Sequence, residues 1–100
     1  MKQLQFILNA DEVLALNAHL TQLFQDYEPE DTYHKMVFAC LHEIQKKLHN
    51  LSFTRKAKNK LVMSATQSLG LLIAYRKWLV TDIYCGNTLI QITTKIDQKI

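Results

Sequence analysis

The chain has 100 residues, 48% of them apolar, with two glycines and one proline, which fits one folded domain and excludes both disorder and a turn-rich all-β fold. Its net charge of +3 is unevenly spread. Residues 1–43 set Lys2 and Lys35 against Asp11, Glu12, Asp26, Glu28, Glu30, Asp31 and Glu43; residues 44–81 carry Lys46, Lys47, Arg55, Lys56, Lys58, Lys60, Arg76 and Lys77 with no acid.

Residues 2–8 alternate, Leu4, Phe6 and Leu8 against Gln3, Gln5 and Ile7, which predicts a half-buried strand. Asn9 follows in an N-cap position with Glu12 three residues on, a capping-box pattern. A first helix is predicted over 10–27, with Val13, Leu16, Leu20, Leu23, Phe24 and Tyr27 on one stripe. Glu28-Pro29-Glu30-Asp31 breaks it, and its acids favour the positive end of the next helix dipole. That second helix, 31–49, is expected to bury Met36, Val37, Cys40, Leu41, Ile44 and Leu48. Residues 50–60 have no helical stripe and read as a loop entering a second strand that reaches Met63. Leu61 and Met63 face inward there, with Lys58, Lys60 and Val62 on the other face. Ser64 and Gln67 make a second capping box, opening a third helix over 65–81 that buries Leu71, Leu72, Tyr75, Trp78 and Leu79. Cys85-Gly86-Asn87 predicts a turn, after which a fourth helix buries Leu89, Ile92, Thr93, Ile96 and Ile100.

Residues 6–16 and 61–71 echo one another at an offset of 55: strand, cap, amphipathic helix. Identity is limited to Ala10/Ala65, Leu14/Leu69 and Leu16/Leu71. The expected fold is mostly α (α+β): four helices and a small two-stranded antiparallel sheet in βαα-βαα order. It forms a single domain over 1–100, with one repeat over 1–50 and the other over 51–100.

Catalytic and cofactor signals are lacking. Gly70 and Gly86 cannot make a phosphate loop, and neither Cys-x-x-Cys nor His-Glu-x-x-His occurs. His34, His42 and His49 share one side of the second helix but lie roughly 12 and 10 Å apart along its axis, too far to bind one zinc ion. The expectation is therefore a non-enzymatic protein with no catalytic residue, metal or cofactor. Leu69–Tyr75, the longest apolar run, is far short of the roughly 20 residues of a membrane span. With no signal-peptide pattern and only two cysteines, Cys40 and Cys85, a cytoplasmic protein with reduced thiols and no membrane contact is expected.

Two surfaces carry what functional signal there is. Arg55, Lys56, Lys58 and Lys60, near Lys46 and Lys47 and interleaved with Phe53, could contact phosphates and stack a base. The third helix shows a second apolar face, Leu69, Ile73 and Val80 interrupted by Arg76, and the second helix sets Phe38 apart from its core stripe. Such faces are buried internally or form an interface. A homodimer through the third helix is expected, with nucleic acid or an acidic protein as further partner. The alternative is an adaptor that uses the third helix and binds no nucleic acid.

Gln5-Phe6-Ile7-Leu8 leading into Glu12-Val13-Leu14, then a second helix, resembles one ribbon-helix-helix unit. Two units in tandem would imitate that family's dimer within one chain. The resemblance implies a two-stranded ribbon in the DNA major groove, with Gln3, Gln5, Lys58 and Lys60 reading bases. Ile7 and Val62 at outward positions, and Glu28-Pro29 in place of a glycine turn, depart from the family pattern.

Overall fold

The computed structural model describes residues 3–54, 56–77 and 83–99, the last helix by its backbone alone as far as 89. The order is β1 (Leu4–Leu8), α1 (Ala10–Asp26), α2 (Thr32–Ser52), β2 (Asn59–Met63), α3 (Ala65–Lys77) and α4 (Ile83–Lys99). The fold is the mostly helical one expected, with four helices and one two-stranded antiparallel sheet.

The register has Leu4 facing Met63, Gln5 facing Val62, Phe6 facing Leu61, Ile7 facing Lys60 and Leu8 facing Asn59. Phe6 thus faces Leu61, its own counterpart at the 55-residue offset of the echo. Leu4 and Leu8 face the counterparts of Leu8 and Leu4. Alternation then turns Leu4, Phe6, Leu8, Asn59, Leu61 and Met63 inward, all buried.

Both strands run into capped helices. Asn9 Oδ1 accepts from the Glu12 amide at 2.8 Å, and Glu12 Oε1 accepts from the Asn9 amide at 2.9 Å. Ser64 and Gln67 exchange the same two bonds, each at 3.1 Å. Asp31 caps α2 through the His34 amide at 2.8 Å. Each such cap is worth about 1 kcal/mol, by satisfying amides that the first turn leaves unpaired.

The helices pack as a ring over the inward face of the ribbon: α1 on α2, α2 on α3, α3 on α4, and α4 back on α1. Val13, Leu16 and Leu20 of α1 meet Leu41, Ile44 and Leu48 of α2, Leu71 and Leu72 of α3, and Ile92 and Ile96 of α4 in one core. Burying each such aliphatic side chain contributes about 1.5–3 kcal/mol, so the helices supply most of the stability a lone two-stranded ribbon lacks. Helices α2 and α3 approach closely where a Cβ on Gly70 would lie 2.7 Å from the Cβ of Cys40. Only glycine allows that approach.

A ribbon of two strands has two free edges, and each is covered by a lysine. Lys47 of α2 donates to the Val62 carbonyl at 2.6 Å, while Lys95 of α4 donates to the Gln5 carbonyl at 3.1 Å. Lys95 also lies 5.1 Å from the centre of the Phe6 ring. Charged side chains over exposed edges disfavour strand addition by another chain.

Several expectations are corrected. Phe38, set apart as an interface residue, is 5% exposed and sits 5.7 Å from the Phe24 ring of α1. Helix α2 meets α1 on one side and α3 on the other, so its buried arc is wider than a single stripe. Met36, expected inside, is exposed, and so is Tyr27, which lies just past the end of α1. Helix α2 continues to Ser52, which shortens the expected loop, and β2 starts at Asn59, leaving Lys58 before the strand. Cys85, Gly86 and Asn87 do not turn the chain but lie inside α4. One helical glycine costs about 1 kcal/mol, which tertiary packing of the rest of α4 offsets. Trp78, Leu79, Val80 and Ile100 lie outside the described residues. No helix among the described residues is long and apolar enough to cross a membrane.

Candidate nucleic-acid interface

The face of the ribbon turned away from the helices carries Gln5 opposite Val62 and Ile7 opposite Lys60. Gln5 and Lys60 are exposed, Val62 is half-buried, and Ile7 is 61% exposed. Gln3 extends the same face as an exposed residue before β1. Paired strands are about 4.8 Å apart, so two side by side fit within a major groove about 12 Å wide.

Beside this face, between α2 and β2, Phe53, Lys56 and Lys58 are exposed. Lys56 is tied down by a buried asparagine. Asn59 Nδ2 donates to the Leu8 carbonyl at 3.2 Å and to the Lys56 carbonyl at 2.9 Å, and its Oδ1 accepts from Thr54 Oγ1 at 3.4 Å. The Lys56 backbone is thereby held next to the end of β1. Phe53 is 73% exposed and meets the His49 ring edge-on at 4.8 Å between centres. It borders a cleft of about 680 Å³ formed with Asp11, Leu14 and Leu51. Lys56, Lys58 and Lys60 are in no ion pair among the described residues. Arg55 lies outside the described residues.

Lys46 and Lys47 do not join that group. Successive helical residues diverge by about 100°. Lys46 lines a shallow groove with Asn17, Thr21, His42, Gln45 and His49, between α1 and α2. Lys47 points the other way: besides Val62 it donates to Gln67 Oε1 at 2.8 Å, and Gln67 Nε2 donates to Glu43 Oε2 at 2.8 Å. Lys47 is thus part of a half-buried polar network that joins α2, β2 and α3. Its role is structural.

The second face of α3 is largely occupied. Ile73 packs against the core, Gly70 and Ala74 are buried, and Arg76 Nη2 pairs with Asp97 of α4 at 3.3 Å. Leu69 stays 40% exposed, and Val80 is outside the described residues. The three histidines of α2 go separate ways: His34 lies 3.6 Å from Asp31, His42 stacks on Phe24 at 3.8 Å, and His49 meets Phe53. Among the described residues no group of three or more His, Cys, Asp or Glu side chains is placed to hold a metal ion.

Two participants were missed from the sequence. Asn59 stands in phase with Leu61 and Met63, so a polar residue at an inward position was the available signal for a buried anchor. Lys95 gave none, since its target is a strand 90 residues away in sequence. Comparison with family models, curated proteins and solved structures gave no match for this chain.

Proposed function

We propose that this chain is a small, non-enzymatic, self-associating protein that binds nucleic acid through the outward face of its ribbon and the adjoining basic segment. The observation that carries the proposal is the register: it sets Gln5, Ile7 and Lys60 on one exposed surface, with Lys58 and Lys56 beside it. Glutamine and lysine can hydrogen-bond base edges or phosphates, and an exposed aliphatic such as Ile7 can meet a thymine methyl group. Phe53 offers a ring for an unpaired base. The tandem ribbon-helix-helix resemblance supports the same reading, with one chain supplying both strands.

Binding should be dominated by phosphate contacts and therefore by salt. With about four contacts, affinity for a short duplex should fall about 100-fold between about 50 and 200 mM salt. Fluorescence anisotropy with labelled duplex and single strand tests this. Replacing Arg55, Lys56, Lys58 and Lys60 together with Gln should abolish binding, whereas Lys46→Gln should change it little. Absence of binding at the lowest salt would defeat the proposal. An adaptor role through α3 retains, among the described residues, Leu69 as its clearly exposed apolar side chain, and is the weaker reading.

A further inference from the structure

We infer that two copies of this chain associate by docking the basic end of one onto the acidic, aromatic corner of the other. The inference rests on the self-association part of the proposed function and is independent of the nucleic-acid part. The corner is the turn between α1 and α2. There Tyr27, Tyr33 and Met36 are all exposed, although each is large and at least partly apolar. Behind them a cleft of about 390 Å³ opens between Phe24, Tyr27, Pro29 and Phe38, large enough for one aromatic ring.

Charge says what would cover this patch. Glu28 and Glu30 are exposed and in no ion pair among the described residues. Asp26 accepts from Gln22, and Asp31 caps α2. Lys35 and His42 line the cleft, and Lys77 reaches His34 beside Asp31 at 2.8 Å, so two lysines stand against the four carboxylates Asp26, Glu28, Glu30 and Asp31. The corner therefore keeps a net negative charge around an apolar centre. The opposite end of α2 has the converse: Phe53, 73% exposed, followed by Lys56 and Lys58, with Asp11 as the one acid lining the adjoining cleft.

The two ends cannot meet within one molecule. They are at opposite ends of α2, whose 21 residues span about 30 Å. A second copy brings them together, with the Phe53 ring entering the Phe24–Tyr27–Pro29–Phe38 cleft and the lysines facing Glu28 and Glu30. An aromatic anchor in an apolar pocket with a rim of opposite charges is the arrangement that concentrates binding energy at interfaces. The joined surfaces are unlike, so two antiparallel copies would make the contact twice. Lys56, Lys58 and Phe53 also belong to the proposed nucleic-acid surface, so the two partners would compete.

Sedimentation velocity on the whole chain tests the contact. At about 50 mM salt and hundreds of micromolar protein, the wild type should exceed the mass of one chain, and about 500 mM salt should shift it toward one chain. Glu28→Gln with Glu30→Gln should reduce the mass to one chain. So should Lys56→Gln with Lys58→Gln, and so should Phe53→Ser; all these positions are exposed, and circular dichroism should show the fold intact. Mixing the acid-neutralised and lysine-neutralised chains restores one complete contact, and a two-chain species should return. A one-chain mass for the wild type at low salt would overturn both this inference and self-association. A dimer insensitive to all three variants would overturn this contact and leave self-association standing. Nucleic-acid binding by the Glu28→Gln, Glu30→Gln chain, read by anisotropy, reports separately on the nucleic-acid part.

Discussion

The two halves of the molecule use one grammar and reach different packing. In the first, the Asn9–Glu12 capping box stands at the surface, its two bonds both exposed. In the second, Gln67 of the equivalent box is buried and also joins Lys47 and Glu43 of α2. The helix seams differ likewise. The 55-residue offset carries Gly70 onto Ala15 and Cys40 onto Lys95. Where α3 crosses α2 with glycine against cysteine, the positions at that offset hold alanine in α1 and a long lysine in α4. That lysine reaches out to the ribbon edge instead of filling the seam. The same local pattern, a strand running into a capping box, can therefore occur twice while side-chain size and polarity decide how closely each helix packs.

The largest expected effect tests the tight seam. Gly70→Val places a Cβ where 2.7 Å already separates it from Cys40 Cβ, so stability should fall by about 3 kcal/mol. Ala15→Gly, its counterpart, should cost about 1 kcal/mol, mostly in backbone entropy. Urea unfolding of both variants would break the comparison if the two losses were equal. The caps come next. Gln67→Ala leaves Lys47 and Glu43 short of a partner and should cost about 2 kcal/mol, against about 0.5 kcal/mol for Glu12→Ala at the exposed box. Thermal melts that order them the other way would show that the network beneath Ser64 adds nothing.

The ribbon edges sharpen the contrast further. Lys47→Met removes a half-buried ammonium with two acceptors and should cost about 1 kcal/mol, while Lys95→Met, from an exposed position, should cost a few tenths. Amide exchange along β1 and β2 reads which edge loosens. The smallest effect belongs to Cys40. Burial, and then the charge of Glu43, push its thiol above the ordinary 9.0, against a backbone hydrogen bond that lowers it. Above pH 9.0 the unfolded chain loses this proton first, so the stability the raised value contributes is present below that pH and declines above it. Cys40→Ala keeps the Cβ at the seam and should remove that part of the alkaline decline. Identical pH profiles for the two proteins would discount the shift.

Much of the architecture was legible because its signals are local. Alternation over Leu4–Leu8, capping boxes at Asn9 and Ser64, and 3.6-residue stripes in α1 and α2 depend on neighbours within one turn or one strand. The candidate site was legible in composition, as a run of lysines beside Phe53, but its membership was not. Lys46 and Lys47 are adjacent in sequence, yet one lines an exposed groove and the other is half-buried against the free edge of β2.

By itself, then, the sequence determined the order of strands and helices and the capped starts of α1 and α3, that the two strands could pair, and that charge is segregated between the halves. Tertiary structure decided what depends on distant neighbours. It turned Phe38 inward and Met36 outward, because α2 is covered from two sides. It absorbed Cys85-Gly86-Asn87 into α4, because packing along a whole helix outweighs one glycine. It joined Lys95 to Gln5 and Asn59 to Leu8, since only the closed ring of helices over a paired ribbon brings these groups within hydrogen-bonding distance.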